Sequence, residues 1–273
     1  MAQQGGLFKR IHKGCSSGYP ALILEKRLET LDIFSAGAAQ AVVGRLVQRF
    51  QLEGCGAVNG SYGAVHSLKS RILAGEPVDV VVLTGNLIDE LIQNNRVMAG
   101  SRVDLGTVGT GFAVRAGMPL PPVASPQTLR ATLLACQKIF CPDPAAATAG
   151  QALLKVVEQL GIGAQLQPRL VYCASGYEAM DRLAQGSGQG ELSAMQMTEI
   201  IASRRITLAG PFPAELQITA LYSAGLAVQS KCPARAAEFI QALAQDRHAL
   251  KLAGFGDCPV REAASAGRMT FLS

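Results

Sequence analysis

The chain has 273 residues, of which 49% are hydrophobic, 16% charged and 5% aromatic, and its formal net charge is +5 at pH 7. This composition is typical of a folded α/β protein and excludes an intrinsically disordered chain. The positive charge is spread along the sequence apart from one N-terminal cluster at 9–13, so nucleic-acid binding is not indicated. The seven cysteines are scattered without a CxxC pair, which indicates free thiols in a reducing compartment.

The first thirty residues contain no recognisable secretory signal, because their longest apolar run is only 21–24. No stretch of the chain approaches the roughly 20 apolar residues of a membrane span. The sequence as given therefore predicts a cytoplasmic protein that is not integral to a membrane. A leader missing from the sequence would make the protein periplasmic instead. Residues 1–29 have no clear period and are predicted to form an N-terminal extension.

The segment after residue 30 predicts three successive units of strand, loop and helix. Apolar strands are expected at 31–34, 56–59 and 78–83. Each is followed by a helical pattern, the last two over 64–74 and 87–93. Consecutive units of this kind build a parallel sheet, because the crossover helices pack back on the strands.

The Gly-rich stretch 106–111 (GTVGTG) leads into a strand at 112–114 and predicts a crossover into a second lobe. Further strands are expected at 139–141, 170–173 and 192–197, and helices at 129–135, 151–160 and 177–184. The extended run 218–228 predicts the return, followed by helices at 234–244 and 248–253. The predicted domains are lobe 1 (30–109 and 220–273) and an inserted lobe 2 (110–219), with a hinge near 109–112 and 218–223.

Four junctions between a strand and a helix carry small residues and hydroxyl groups. They are Ser35-Ala36-Gly37, Ser61-Tyr62-Gly63, Thr148-Ala149-Gly150 and Ser175-Gly176, the last followed by Tyr177. The first N–H groups of a helix lack acceptors within the helix and carry partial positive charge. Ligands bind at such junctions in open α/β sheets, so the sequence predicts an anion site built from neutral donors. The alternative is that each hydroxyl is an ordinary N-cap.

Three other side chains have both a functional and a structural interpretation. His66, in the first turn after the second junction, is placed to move a proton or is a partly exposed helix residue. Arg115 is placed to contact a carboxylate or is a surface arginine. Glu199 is interpreted as solvated or helix-capping. The three histidines are dispersed and GTVGTG does not fit the dinucleotide fingerprint, so neither a metal nor a cofactor is predicted.

Several segments resemble the type II periplasmic binding proteins, closest to the molybdate-binding branch. They are LDIFSAGAAQAVVGRL (31–46), SLKSRILAGEPVDVVVLTG (67–85), CPDPAAATAGQALLKVVEQLGI (141–162) and ITALYSAGLAVQ (218–229). The resemblance implies an α/β fold of two lobes with mainly parallel sheets flanked by helices, and a cleft that closes over a ligand. It also implies a small anionic ligand and, for an exported protein, an ABC permease as partner.

The resemblance also places ligand residues. In the molybdate branch a serine corresponds to Ala38, a serine cluster to 64–66 and a tyrosine to Gln196. Because these three donors differ here, Ser35, Ser61 and Tyr62 are the candidate replacement hydroxyls. A carboxylate then suits the site better than molybdate or tungstate.

Two functions are consistent with these features. The first is a small-anion binding protein, for an oxyanion or a carboxylate, that serves a membrane transporter. The alternative is an isomerase of a di- or tricarboxylate, since the family also resembles an aconitate isomerase that acts by proton transfer. In that case Tyr62 or His66 would be the acid or base. A cytoplasmic anion sensor that acts through a partner is a third possibility without a motif of its own.

Overall fold

A computed structural model describes residues 30–187 and 189–259, so the predicted N-terminal extension lies outside the described residues. The strands of this part are β1 Leu31–Ala36, β2 Val58–Gly63, β3 Val80–Thr84, β4 Val103–Arg115, β5 Lys138–Pro142, β6 Leu170–Cys173, β7 Glu191–Gln196, β8 Ile206–Pro211 and β9 Thr219–Leu226. The α-helices are α1 Gln40–Leu52, α2 Val65–Leu73, α3 Gly85–Gln93, α4 Pro126–Ala135, α5 Thr148–Gln159, α6 Gly163–Leu166, α7 Gly176–Gln185, α8 Met197–Ile201, α9 Pro233–Gln245 and α10 Arg247–Leu252. Short 3-10 turns occupy Gly37–Ala39 and Gln167–Arg169.

The strands form one curled sheet in the order β2-β1-β3-β9-β4-β7-β5-β6, with β8 also paired to β4. The predicted α/β fold of two lobes with flanking helices is therefore confirmed. Strands within each lobe that are joined by crossover helices pair in parallel, as β1 does with β2 and β3. The sheet as a whole is mixed, because β4 and β9 run antiparallel to their neighbours.

Each lobe has a hydrophobic core of its own. In the first lobe, β3 is buried along its whole length, and Phe50 of α1 packs edge-on against Phe239 of α9 at 5.1 Å between ring centroids. In the second lobe, Phe112 and Phe212 lie 4.7 Å apart in one cluster, and Met195 belongs to a second cluster. Because both cores close without the other lobe, the region between the lobes is free to carry polar groups.

Strand β4 belongs to both lobes and forms the first crossing between them. Its first half, Val103–Gly109, pairs with β9, and its second half from Thr110 onward pairs with β7 and β8. The predicted crossover lies in this strand, whereas the prediction that GTVGTG precedes a strand at 112–114 is wrong, because these residues lie inside one long strand. The glycines there permit close packing: a Cβ at Gly111 would lie 2.9 Å from the Gly210 carbonyl oxygen.

The second crossing runs from the end of β8 to the start of β9 and is held by Gln217. The Gln217 side chain accepts a hydrogen bond from the Thr110 N–H at 3.1 Å and donates one to the Thr110 carbonyl at 3.0 Å. One amide side chain thus binds the backbone of the first crossing from the second. The residue limits predicted for the two lobes stay a prediction; the pairing changes partner between Gly109 and Thr110.

We expect Gln217→Ala to destabilise the chain by about 1–3 kcal/mol, because it leaves the buried Thr110 N–H without its acceptor. Urea unfolding monitored by circular dichroism measures this change. Gln48→Ala, on the exposed face of α1, is the matched control and should change stability by less than about 0.5 kcal/mol. Equal effects of the two substitutions would contradict the assigned role of Gln217.

The described residues were searched for disulfides, membrane-spanning helices and metal sites. Six of the seven cysteines lie there, four of them buried, and none of the six forms a disulfide. Within 30–187 and 189–259, no helix is long and apolar enough to cross a membrane. The same residues contain no group of three or more His, Cys, Asp or Glu side chains able to hold a metal ion.

Candidate functional site

A cavity of about 280 Å³ lies between the two lobes, close to the lower end of the roughly 300–1,000 Å³ of small-molecule sites. It is formed where β1, β2, β5, β6 and β7 end and the following helices begin, with β9 as a further wall. The lining residues are Ala36, Gly37, Ala38, Gln40, Tyr62, Gly63, Ala64, Val65, Pro142, Ala147, Thr148, Ala149, Ser175, Gly176, Tyr177, Gln196, Glu199 and Tyr222.

The helices that begin at the cavity mostly lack side-chain caps. The N-caps of α2 and α5 are Ala64 and Ala147, and Ala36 precedes the 3-10 turn that leads into α1. Alanine has no hydrogen-bonding group, so it leaves the first N–H groups of these helices without a side-chain acceptor. Among the predicted hydroxyls only Ser175 is an N-cap, accepting from the Glu178 N–H at 3.2 Å. The N-cap alternative therefore applies to α7 alone.

Most of the predicted site residues come together in this cavity. They are Ala36, Gly37, Ala38, Tyr62, Gly63, Thr148, Ala149, Ser175, Gly176, Tyr177 and Gln196. Predicted members that do not line it are Ser35, Ser61, His66, Arg115 and Gly150.

The two serines lie outside because strands β1 and β2 extend further than predicted. Side chains of a strand alternate between its faces, so Tyr62 faces the cavity and the neighbouring Ser61 does not. Ser35 is fully buried in β1 and donates its hydroxyl to the Ala36 carbonyl at 3.2 Å. Neither serine therefore lines the cavity in which the sequence predicts its hydroxyl. Gly150 has a packing role, because a Cβ there would overlap the Pro142 carbonyl oxygen.

His66 and Arg115 also lie away from the cavity. The His66 backbone N–H donates to the Ala146 carbonyl of the other lobe at 3.1 Å, and its ring lines a second cleft together with Asp89 and Arg102. Arg115 is the last residue of β4, and its side chain donates to the Gly186 carbonyl at 3.0 Å. Proton transfer by His66 in the main cavity would therefore need a different arrangement of α2.

Glu199 is a residue of the cavity that sequence reasoning interpreted as solvated or helix-capping. It is the third residue of α8 and accepts a hydrogen bond from the backbone N–H of Gln196, the N-cap, so the capping interpretation holds. The solvated interpretation is wrong, since Glu199 is only 7% exposed. Burial raises the pKa of Glu199 to about 7, and the hydrogen bond from Gln196 lowers it in part.

The Glu199 carboxyl group lies between the two lobes. A Cβ added at Gly37 of lobe 1 or at Gly176 of lobe 2 would overlap one of its oxygens. Both glycines are at helix starts of the predicted anion site. Among the described residues that line the cavity, Glu199 is the only Asp, Glu, Lys, Arg or His.

Two tyrosines, Tyr177 and Tyr222, lie near this carboxyl group, and a third, Tyr62, lines the same cavity. Burial, with Glu199 and Tyr62 nearby, raises the pKa of Tyr177 to about 12. Burial and Glu199 raise the pKa of Tyr222, whose side chain is hydrogen-bonded to Thr148 across the cleft. Burial also raises the pKa of Tyr62. All three phenols are therefore neutral at pH 7. Sequence reasoning missed Tyr222, since the ITALYSAGL run indicated only a returning strand.

Gln196 provides a further polar group in the cavity wall. It is only 4% exposed, and its side-chain oxygen has no hydrogen-bond partner among the described residues. Buried polar atoms are nearly always paired, so an unpaired acceptor in a cavity wall indicates a ligand or water that donates to it.

This fold and cleft are those of a binding protein with two lobes around a ligand. The model of the bacterial extracellular solute-binding protein family matches residues 31–256. The chain therefore belongs to that family. As the family's description says, its members bind a solute and are extracellular.

Individual relatives differ in what they are named for. An aconitate isomerase from Pseudomonas sp. is 28% identical over 194 residues, which are 71% of this chain and 72% of that protein. The periplasmic molybdate-binding protein of Azotobacter vinelandii superposes with a TM-score of 0.70 at 21% identity, covering 84% of this chain and all of that one. A periplasmic thiamin-binding protein superposes with a TM-score of 0.65 at 16% identity, covering 87% and 86%. Likeness to these solved structures therefore shows the fold of the chain and does not identify its ligand.

Proposed function

We propose that this protein binds a small carboxylate anion in the cleft between its lobes. The observation that carries the proposal is the convergence of three helix starts without side-chain caps on one cavity. Backbone N–H groups at helix starts bind anions because they lack acceptors and carry partial positive charge. Among the described residues, no basic side chain lines the cavity, so the anion would be held by neutral donors.

A carboxylate suits the cavity better than a tetrahedral oxyanion. Gln196 and Glu199 offer acceptor oxygens in the cavity wall, whereas the helix starts offer donors. A fully ionised oxyanion presents only acceptors and would leave the Gln196 oxygen unpaired. An organic acid can present an ionised carboxylate to the helix starts and a hydroxyl or a protonated carboxyl to Gln196. The Ala38 position, where the molybdate branch has a serine, also offers no hydroxyl donor.

We further propose that the natural role is delivery of this anion to an ABC permease from outside the cytoplasm. Membership of an extracellular solute-binding family supports this role, in place of the cytoplasmic location expected from the sequence as given. Fractionation of native cells with antibody detection tests the location. An entirely cytosolic pool would contradict the transport role and would favour an enzyme or a sensor.

A thermal-shift panel tests the ligand class. We expect citrate, cis-aconitate or succinate to stabilise the chain, by about 2.7 kcal/mol at 100 times the dissociation constant. Molybdate, tungstate and sulfate at the same concentrations should give no shift. Sodium chloride of equal ionic strength controls for general salt effects. Stabilisation by molybdate alone would contradict the carboxylate proposal.

A second candidate is isomerisation of a di- or tricarboxylate by proton transfer. Glu199 favours it, because a buried carboxyl with a pKa of about 7 is matched to acid–base catalysis at neutral pH. Likeness to an aconitate isomerase points the same way. Proton NMR of the full chain with cis-aconitate tests it: appearance of trans-aconitate that Glu199→Gln abolishes would support catalysis. Binding of cis-aconitate without turnover would leave the binding function alone.

A further inference from the structure

Glu199 lies in the part of the cleft that is proposed to hold the ligand. Its carboxyl oxygens lie against Gly37 and Gly176, which are at the helix starts of opposite lobes. It belongs to α8, a helix of lobe 2 that packs on the 3-10 turn Gly37–Ala39 of lobe 1. A ligand carboxylate bound at either helix start would therefore be a direct neighbour of the Glu199 carboxyl.

Among the residues that the structure describes, no cationic side chain lines this space to compensate for two carboxylates. The side chains that face Glu199 from the elements packed against it are Tyr177 of α7 and Tyr222 of β9, both neutral phenols. The cavity-lining residues among those described include no Lys, Arg or His and no second Asp or Glu. Two like charges close together in a shielded site cannot both persist, and one of them takes up a proton.

We propose that Glu199 couples capture of the carboxylate to uptake of one proton, which leaves Glu199 neutral and donating its O–H to the ligand. This inference rests on the proposed function and specifies how the same site works. When the ligand binds, ionised Glu199, one solvent proton and the ligand anion give neutral Glu199 hydrogen-bonded to that anion. No other bond forms or breaks. The site therefore binds a carboxylate together with one proton.

The electrostatics of the ligand-free cleft supports the direction of the step. Burial raises the pKa of Glu199 to about 7, and the hydrogen bond from the Gln196 N–H lowers it in part. A ligand carboxylate bound at Gly37 would lie beside the Glu199 carboxyl, and its charge would repel the ionised form of Glu199. The pKa of Glu199 therefore rises further on binding, and a proton is taken up at pH values between the ligand-free and the ligand-bound pKa.

Protonation of Glu199 makes both folding stability and ligand affinity depend on pH. Because the folded pKa lies above the ordinary value of a glutamate, protonated Glu199 favours the folded state, and this stability is lost as pH rises through about 7. Ligand affinity behaves in the same way at higher pH. It should be constant below the ligand-free pKa and fall about tenfold for each pH unit from there up to the ligand-bound pKa of Glu199.

Titration calorimetry of the full chain tests the proposal, with citrate, cis-aconitate and succinate as probes. At pH 8 the ligand carboxyls are ionised, so a proton taken up on binding comes to the protein from the buffer. Comparing phosphate with Tris, which differ in ionisation heat, gives the number of protons. We expect close to one per bound ligand. Glu199→Gln should take up none and bind with nearly pH-independent affinity, whereas the exposed control Glu238→Gln should behave as wild type.

The outcomes separate the two proposals. Binding with the same heat in both buffers and unchanged affinity from pH 6 to pH 9 would overturn proton coupling and leave carboxylate binding intact. If none of the three probes binds anywhere from pH 6 to pH 9, both the proposed function and this inference are overturned. The wild-type measurements decide both questions even if the Glu199→Gln chain does not fold.

Discussion

Ala38→Asp is expected to weaken carboxylate binding at least 100-fold, the largest functional effect that the cleft predicts. Ala38 is in the 3-10 turn before α1, is only 4% exposed and lines the cavity. An aspartate there would place a fixed negative charge beside the bound anion. Two charges 4 Å apart repel by about 4 kcal/mol at an effective dielectric constant of 20, which corresponds to nearly three orders of magnitude in affinity.

A matched substitution separates this effect from general damage. Ala41→Asp makes the same change in the first turn of α1, at an exposed position outside the cavity wall. Aspartate is favourable near a helix N-terminus, so both variants should fold. Calorimetry with citrate and cis-aconitate compares their affinities. A 100-fold loss in both variants, or in neither, would contradict the placement of the ligand at this helix start.

Asp79→Ala is expected to destabilise the ligand-free chain by about 3–5 kcal/mol, the largest stability effect that we predict from a polar contact. Asp79 is only 2% exposed and precedes β3. Its carboxylate accepts from the Asp32 N–H at 2.8 Å, the Ser230 hydroxyl at 2.7 Å and the Lys231 N–H at 2.9 Å. Alanine would leave these three donors without acceptors, and hydrogen bonds to a charged group contribute about 1.5–3 kcal/mol each before non-additivity.

Two variants control for the loss of charge. Asp79→Asn keeps one acceptor oxygen and should lose less stability than Asp79→Ala. Asp181→Ala removes an ion pair with Arg205 whose side chains are about half exposed, and such pairs contribute about 0–1 kcal/mol. Urea unfolding of the ligand-free chain compares them. Similar losses for Asp79→Ala and Asp181→Ala would contradict the assigned role of Asp79.

The AGEPVDV motif shows what sequence resemblance can and cannot predict. It is among the most family-like segments of the chain, and it predicts the fold correctly. Its aspartate, Asp79, binds backbone and hydroxyl donors of β1 and of the segment before α9, and it does not line the cavity. The motif therefore indicates family membership through a structural carboxylate and says nothing about the ligand.

The strand–helix junctions were predictable because glycine, small residues and apolar periodicity are local signals. The side chains that face the cavity were harder to predict. The sequence predicts Ser35 and Ser61 as cavity residues because their hydroxyls lie in junctions of small residues, but one residue of strand register decides which face a side chain occupies. Tyr62, one position later, lines the cavity instead.

Glu199 could not be placed from the sequence because its burial depends on the other lobe. The spacing from Gln196 to Glu199 indicates a capped helix, which the structure confirms. What buries the carboxyl is Gly37, more than 160 residues away in the chain, together with Gly176. Similarly, Tyr222 becomes a cavity residue only because β9 returns beside β3 and β4. Long-range contacts of this kind leave no local pattern.

The most direct test of a carboxylate held at the helix starts is amide NMR of the isotope-labelled chain during titration with citrate and with cis-aconitate. We predict saturable shifts concentrated at the N–H groups of Gly37, Ala38, Thr148 and Ala149, with no comparable response to molybdate. Saturable binding whose shifts instead cluster around His66, Asp89 and Arg102 in the second cleft would contradict carboxylate binding at the helix starts. Molybdate shifts at the four helix-start amides, with none from either carboxylate, would also contradict it.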